Sequence, residues 1–163
     1  MRMMNMLKRL ATWALLLLLL GCDGLVTGEK VFSQAVTENA QGEVKGGYGP
    51  ITLALTPDMT PVALNLRVEH GIDGNLAGKW NHYLATLSFK GREVAASKFQ
   101  INYSGNADGQ AGVPYILQNM LTARVAEAGD YVLTIMPIKA NDIKLTSVRV
   151  EMRRNVEGNA NAR

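Results

Sequence analysis

The residue with the most distinctive chemistry is Cys22, the only cysteine in the 163-residue chain. It ends the sequence Leu19-Leu20-Gly21-Cys22, which follows the apolar run 15–20 and the basic pair Lys8-Arg9. A basic segment, a short apolar segment and a small residue before a cleavage point are the parts of a secretory signal. The thiol at the end of this pattern is available for covalent modification, because a lone cysteine has no partner for a disulfide within its own chain.

Leu19 to Cys22 resembles the lipobox of bacterial lipoproteins. The resemblance implies that residues 1–21 are cleaved, that Cys22 is diacylated on sulfur, and that the new N-terminus is usually acylated as well. Two or more acyl chains hold a protein firmly on a bilayer, whereas a single chain binds marginally. In enterobacterial lipoproteins an aspartate in the position of Asp23 is similar to a signal for retention at the inner membrane. The resemblance therefore implies an envelope lipoprotein on the periplasmic side of the inner membrane, rather than at the outer membrane.

Two other interpretations of this segment are weaker. A spanning helix needs roughly 20 apolar residues, and the stretch Leu10–Gly21, which is interrupted by Thr12, is shorter. An ordinary secretory signal would leave an unpartnered thiol in an oxidising compartment, and lipid attachment removes that thiol.

The net charge of the chain, +3, resides in the signal segment. Residues 1–21 contain Arg2, Lys8 and Arg9 and no acidic residue, so 14 basic and 14 acidic residues remain from Cys22 onward. A balanced mature chain gives no reason to expect a nucleic-acid partner. We expect the membrane, reached through the lipid, to be one partner.

Residues suited to catalysis or metal binding are sparse. His70 and His82 are the only histidines, and no Gly-x-Ser-x-Gly motif occurs. The gaps between His70, Asp73 and His82 match no common metal site. Four carboxylates offer no distinct pair for glycoside hydrolysis: Glu69, Asp73, Glu93 and Glu127. We expect a non-enzymatic protein with no catalytic residues, no metal, and no cofactor except the covalent lipid on Cys22.

A candidate binding face lies at Trp80, Asn81, His82 and Tyr83, where an indole stands beside amide and imidazole groups. Such a group suits stacking on a sugar ring or anchoring a protein interface. The alternative, that Trp80 covers the core at the start of a strand, is favoured over a binding role. An exposed aromatic shelf shared by Trp80 and Tyr83 would favour a glycan as the ligand.

The elements that must position these residues are predicted to be strands. Apolar residues alternate at Ile51–Leu55, Val62–Val68 and Tyr83–Phe89, which is the period of a half-buried strand. Residues 56–61 and 90–92 have turn chemistry. The interval from Leu145 to Val148 implies a bulge or a break in alternation. Tyr115–Val125 is ambiguous, because Ile116, Leu117, Met120 and Leu121 have helical spacing.

This pattern predicts an all-β fold, an antiparallel β-sandwich of jelly-roll or immunoglobulin-like type. We expect four segments: a signal peptide at 1–21, a lipidated N-terminus and polar spacer at 22–49, the sandwich at 50–154 and a flexible tail at 155–163. Residues 123–133, followed by 145–152, are similar to the closing strands of galactose-binding-like jelly rolls, with Ala128-Gly129-Asp130-Tyr131 at the turn. This resemblance ranks folds and implies no ligand.

Three functions are compatible with the sequence. The leading hypothesis is a lipid-anchored, non-enzymatic sandwich that binds another envelope protein, as an accessory, assembly or immunity-type lipoprotein. The alternative is a carbohydrate or cell-wall glycan binding module. The third, an envelope enzyme, needs a cleft with converging polar groups. An exposed apolar patch would favour a protein partner, and an open aromatic shelf with amides would favour a glycan.

Overall fold

The computed structural model describes residues 28–39, 45–69, 78–102, 115–145 and 147–157. One turn of 3-10 helix, Pro57–Met59, is the only helical segment in these ranges. The other elements are nine strands: β1 (Glu29–Val36), β2 (Glu38–Asn39), β3 (Gly47–Leu55), β4 (Val62–Glu69), β5 (Trp80–Phe89), β6 (Arg92–Asn102), β7 (Tyr115–Ala123), β8 (Gly129–Pro137) and β9 (Ser147–Arg154).

The strands form two antiparallel sheets that pack together. The four-stranded sheet has the order β1-β9-β4-β7, and the five-stranded sheet has the order β2-β3-β8-β5-β6. The predicted all-β antiparallel sandwich is confirmed. Each sheet has one face in the shared core and one outer face, and the two outer faces point away from each other.

Alternation along the strands creates the core, because successive side chains point to opposite faces of a sheet. Leu53 and Leu55 of β3 share one core with Leu64 and Leu66 of β4, and all four are at most 1% exposed. The largest fully buried side chains come from both sheets: Tyr83, Leu53, Leu55, Leu64, Leu66, Leu87, Ile101, Met120, Leu121, Leu133, Ile135 and Val62.

The turn predicted at residues 90–92 is the tight connection of a β-hairpin. Phe89 pairs with Arg92, and the two residues between them have positive φ, 50° at Lys90 and 76° at Gly91. Two successive left-handed residues are the requirement of a type I′ turn, whose twist matches that of the flanking strands.

The ambiguous segment Tyr115–Val125 contains a strand, β7. A register shift between β4 and β7 lies at Leu64/Asn65, so that Leu64 pairs with Leu121 and Asn65 pairs with Asn119. Met120 is the additional residue of this bulge, and both it and Leu121 are buried. The bulge therefore produces the spacing that resembled a helix, since it places two consecutive side chains in the core.

The sandwich extends beyond the predicted bounds at both ends. β1, β2 and the start of β3 lie within the segment 22–49 that was expected to be a spacer. At the other end, the backbone N–H groups of Asn155 and Val156 donate to the carbonyls of Met59 and Pro61. Val156 is buried, so the chain stays attached to the sandwich past residue 154. The bounds of the sandwich were predicted from where the sequence becomes polar. An edge strand is itself polar, because few of its side chains are buried.

Candidate functional site

The residues predicted to carry the lipid and the sorting signal, Cys22 and Asp23, lie outside the described residues. The same is true of His70 and Asp73, two of the three residues weighed as metal ligands. Among the residues that the structure describes, no group of three or more histidine, cysteine and carboxylate side chains is placed to hold a metal. Within the same ranges, no helix has the length and apolar character needed to cross a membrane.

The candidate binding face at residues 80–83 is divided by the strand that contains it. β5 begins at Trp80, three residues before the alternating segment Tyr83–Phe89, so the four side chains alternate between the two faces of the sheet. Asn81 and Tyr83 are both 0% exposed, whereas Trp80 and His82 are partly exposed on the outer face. Trp80 and Tyr83 therefore do not share an exposed shelf.

Asn81 fastens the β8–β9 connection to β5. Its Nδ2 donates to the carbonyl of Ile143 at 2.8 Å, and its Oδ1 accepts from the N–H of Ile143 at 2.9 Å. Nδ2 also donates to the hydroxyl of Tyr83 at 3.1 Å. A buried amide needs such partners, because leaving it unsatisfied costs about 1–3 kcal/mol. The position of Asn81 is explained by this structural role.

Two tyrosines beneath this connection have raised pKa values. Burial, the largest cause, raises the pKa of Tyr83 to about 12, against the opposing effect of hydrogen bonds from Asn81 and other neighbours. Burial likewise raises the pKa of Tyr48 well above its ordinary value, and the nearby Tyr83 adds to the effect. The rings of the two tyrosines lie 6.3 Å apart. Both hydroxyls are therefore held neutral and act as hydrogen-bonding groups of the interior.

A groove of about 540 Å³ opens beside these tyrosines. Charged side chains of both signs stand on it, and Tyr48 forms part of its floor. Its described lining is Glu38, Lys45, Tyr48, Ala140, Asn141, Ile143, Lys144 and Leu145. This set contains no nucleophile next to a general base, so the groove offers shape and charge rather than the parts of a hydrolytic site.

The outer face of β5 and β8 presents a patch of apolar and aromatic side chains. Met136 and Ile138 are 45% and 49% exposed, and among the described residues only Val31, at 36%, is a comparably exposed large apolar side chain. Met136 pairs with Leu84, and the N–H of Ile138 donates to the carbonyl of His82. The five side chains that define this outer patch are Trp80, His82, Leu84, Met136 and Ile138.

The outer patch is held in place at its Trp80 end. The Trp80 and His82 rings are stacked, with centroids 6.4 Å apart and an interplanar angle of 27°. The N–H of Trp80 donates to Oδ2 of Asp142 at 3.4 Å, and this bond is the largest cause of a lowered pKa for Asp142. Lys139 contributes to the same lowering. The carboxylate thus stays ionised and ties the loop after β8 to the first residue of β5.

A polar border runs along β6 beside the patch. Lys98, Gln100 and Asn102 pair with Leu84, His82 and Trp80, so the two rows lie next to each other on the outer face. A groove of about 440 Å³ continues from this border to the edge of the other sheet. It is lined by Trp80, Lys98, Phe99, Gln100, Asn102, Ile116 and Gln118. An apolar centre with a polar border is the composition of a protein interface, and an indole beside amides also suits a sugar.

The outer face of the four-stranded sheet has the opposite character. One polar row crosses all four strands in register, at Ser33, Glu151, Asn65 and Asn119. Glu151 is 4% exposed and Asn65 is 2% exposed. Nδ2 of Asn119 donates to Oδ1 of Asn65 at 3.0 Å. Glu151 and Asn65 are therefore buried although they lie on the outer side of the sheet, whereas Ser33 and Asn119, on the two edge strands, are exposed.

Cations surround the carboxylate of Glu151. Its Oε1 lies 3.6 Å from Nη1 of Arg67 and 4.0 Å from Nζ of Lys30. The Arg67 guanidinium in turn lies over the ring of Tyr115, 3.8 Å from its centroid. Within the described residues, Oε1 of Glu151, Nε of Arg67 and Nδ2 of Asn65 make no hydrogen bond. The cluster is therefore held by charge and packing more than by directional bonds.

Most members of the outer patch were not singled out from the sequence. Leu84, Met136 and Ile138 occupy positions where a strand with one solvated face usually carries polar residues. Such positions are a recognisable signal once the strand register is known. The structure gives this register: β5 and β8 pair without a bulge, and Leu84 lies opposite Met136. The sequence alone does not reveal it.

The fold and these surfaces define an all-β sandwich with an apolar patch on one outer face and a charged cluster on the other. The chain matches no family model, no curated protein and no solved structure.

Proposed function

We propose that this chain is a lipid-anchored, non-enzymatic envelope lipoprotein whose sandwich domain binds another protein. The anchor is Cys22, and Asp23 directs the protein to the periplasmic side of the inner membrane. This part of the proposal is supported by the order of basic residues, apolar segment, Gly21 and Cys22 at the N-terminus. The binding part is supported by the structure of the outer faces.

The observation that carries the binding proposal is the exposure of Met136 and Ile138 on the outer patch. Both lie in register with partly exposed neighbours on β5, so they form one surface instead of isolated apolar side chains. Contiguous apolar surface on a soluble domain marks an interaction site. Covering each of these half-exposed side chains contributes on the order of 1 kcal/mol to association. Lys98, Gln100 and Asn102 provide the polar border of such an interface.

The anchor is tested by the mass of the protein isolated from membranes. We expect the full chain to lose residues 1–21 and to gain the mass of two or three acyl chains at Cys22. The Cys22→Ser variant should keep its signal and carry no lipid. An unmodified thiol on a cleaved chain would contradict the anchor.

The binding surface is tested by photo-crosslinking in native membranes. A photoreactive residue in place of Ile138 should give one discrete crosslinked species that weakens when Met136→Ser is added. A photoreactive residue in place of Ala54, which is exposed on the same sheet away from the patch, is the matched control and should give none. Equal crosslinking from both positions, unaffected by Met136→Ser, would reject the patch as the binding surface.

A cell-wall glycan is the second candidate ligand. The groove that joins Trp80 to the amides of Gln100, Asn102 and Gln118 favours it, since stacking and amide hydrogen bonds are the usual means of holding a sugar. Trp80 is the only tryptophan after residue 21, so its fluorescence reports on this site without interference. A shift in emission on titration with glycan fragments, lost in Gln100→Ala, would favour the glycan. No shift would leave the protein partner as the proposal.

A further inference from the structure

The connection between the proposed lipid and the sandwich is short. β1 begins at Glu29, so only six residues separate it from Cys22. A chain of this length spans at most about 25 Å even when fully extended. If Cys22 carries the lipid, as the proposed function requires, the first strand of the four-stranded sheet is held beside the bilayer.

The outer face of that sheet is rich in cations. The described side chains on it include Lys30, Arg67, Arg149 and Arg153, against one carboxylate, Glu151. This local excess of positive charge contrasts with the balanced charge of the chain after residue 21.

The cations are positioned by contacts on the sheet surface. Nε of Arg149 donates to Oγ of Ser33 at 3.2 Å, and Nη1 of Arg153 donates to the carbonyl of Gly28 at 2.7 Å. The side chain of Lys30 is 46% exposed and that of Arg67 is 28% exposed. Part of the positive charge is therefore presented to the surroundings. Lys30 and Arg153 lie opposite each other near the start of β1, which is the end closest to the lipid.

We propose that the outer face of the four-stranded sheet rests on the anionic headgroups of the bilayer that holds the lipid. The short connection brings this face to the membrane, and its cations complement the negative charge of the headgroups. Each basic residue near an anionic surface strengthens attachment by roughly fivefold, and salt screens the effect. Because the two outer faces point in opposite directions, this orientation turns Met136 and Ile138 away from the membrane, towards a partner.

The orientation is tested with the full lipidated chain in vesicles. A fluorophore is placed on Ala35→Cys or on Ala54→Cys, two exposed alanines on the outer faces of the four- and five-stranded sheets. Energy transfer to an acceptor lipid then measures the distance of each face from the bilayer. The vesicles contain phosphatidylcholine alone or phosphatidylcholine mixed with phosphatidylglycerol.

We expect strong transfer from position 35 in the anionic vesicles, less in the neutral vesicles and less at high salt. Position 54 should show weak transfer in all three conditions. Lys30→Gln combined with Arg149→Gln should lower transfer from position 35, whereas Lys98→Gln on the opposite face should not. Equal transfer from both positions, or transfer independent of phosphatidylglycerol, would overturn the proposal.

The failure of this inference is distinguishable from failure of the proposed function. The mass of the protein shows whether Cys22 is acylated before any distance is measured. An unacylated chain overturns the anchor and, with it, the orientation. An acylated chain whose sandwich takes no preferred orientation overturns the orientation alone.

Discussion

The two outer faces of the sandwich differ in which kind of side chain is buried and which is exposed. On the four-stranded sheet, Glu151 and Asn65 are polar groups that are almost completely buried. On the five-stranded sheet, Met136 and Ile138 are apolar groups that remain about half exposed. A single domain in water would normally do the reverse. The first face pairs its buried carboxylate with cations of the same sheet, whereas the second leaves apolar surface uncovered, which is why we assign the protein partner to the second.

The contrast between the two outer faces is tested most strongly by removing the buried carboxylate of Glu151. Glu151→Gln leaves Arg67 and its cationic neighbours without their counter-charge, and we expect a loss of about 2–4 kcal/mol in the free energy of unfolding. Chemical unfolding measures the effect. The matched control is Glu127→Gln: Glu127 pairs with Lys90 at 2.8 Å, but both side chains are more than 60% exposed.

We expect the Glu127→Gln control to change stability by less than about 0.5 kcal/mol, because exposed ion pairs contribute little. The exposed pair is the closer of the two, so the result separates the effect of burial from that of distance. Equal losses for the two variants would mean that Glu151 is not a buried structural charge.

The second prediction concerns the polar groups beneath the outer patch. Asn81→Ala should lower the free energy of unfolding by about 2–3 kcal/mol, since it leaves both the N–H and the carbonyl of Ile143 without partners. Asn102→Ala, the outward-facing amide on the neighbouring strand, should be nearly neutral. If both alanine variants were equally stable, the β8–β9 connection would not depend on Asn81.

Alkaline pH gives the third prediction. The folded state raises the pKa of Tyr83 to about 12 from an ordinary value near 10. Folding therefore favours the neutral form of Tyr83. The contribution of this pKa shift to the free energy of unfolding is fully present below pH 10 and is lost as the pH rises towards 12. Between these values we expect stability to fall by ~1.4 kcal/mol per pH unit for each buried tyrosine.

The measurement is chemical unfolding at a series of pH values from 9 to 12 for the wild type and for Tyr83→Phe. The variant should show a shallower decline, because Tyr48 then remains as the only one of the two to titrate. The same slope in both proteins would show that Tyr83 does not ionise on unfolding in this range.

The smallest stability effect should come from the outer patch. Met136→Ser should change the free energy of unfolding by less than about 0.5 kcal/mol, as expected for a surface position. Leu133→Ala, on the same strand but facing the core, should cost about 2–5 kcal/mol. A large loss in the free energy of unfolding with Met136→Ser would mean that Met136 stabilises the fold, which would argue against a role in binding a partner.

The sequence predicted the fold well where alternation is regular. Val62–Val68 and Tyr83–Phe89 show the period of two along their whole length, and both are strands. The sequence left Tyr115–Val125 undecided between a strand and a helix, because a bulge at Met120 breaks the period of two. It placed β1 in a spacer, because all but two of its residues are exposed and an edge strand has almost no apolar signal.

The candidate site was only partly predictable. Trp80 and His82 lie on the outer face, but Asn81 and Tyr83 belong to the interior, since the strand already begins at Trp80 and its side chains alternate between the two faces. Met136 and Ile138 become neighbours of His82 and Leu84 through pairing between distant segments. This pairing joins strands that are far apart in the chain, so the local alternation of either strand does not show which residues become neighbours. The lipid at Cys22, by contrast, is predicted from a short local motif.

The binding proposal requires another protein in the envelope to cover the outer patch. The most direct measurement is the rate at which a membrane-impermeant maleimide modifies Ile138→Cys in native membranes and in the purified protein, with Ala54→Cys as the control. We expect Ile138→Cys to react more slowly in native membranes than after purification, and Ala54→Cys to react equally in both. Equal rates for Ile138→Cys in both settings would contradict the binding proposal, because the patch would then be open to solvent where a partner is expected.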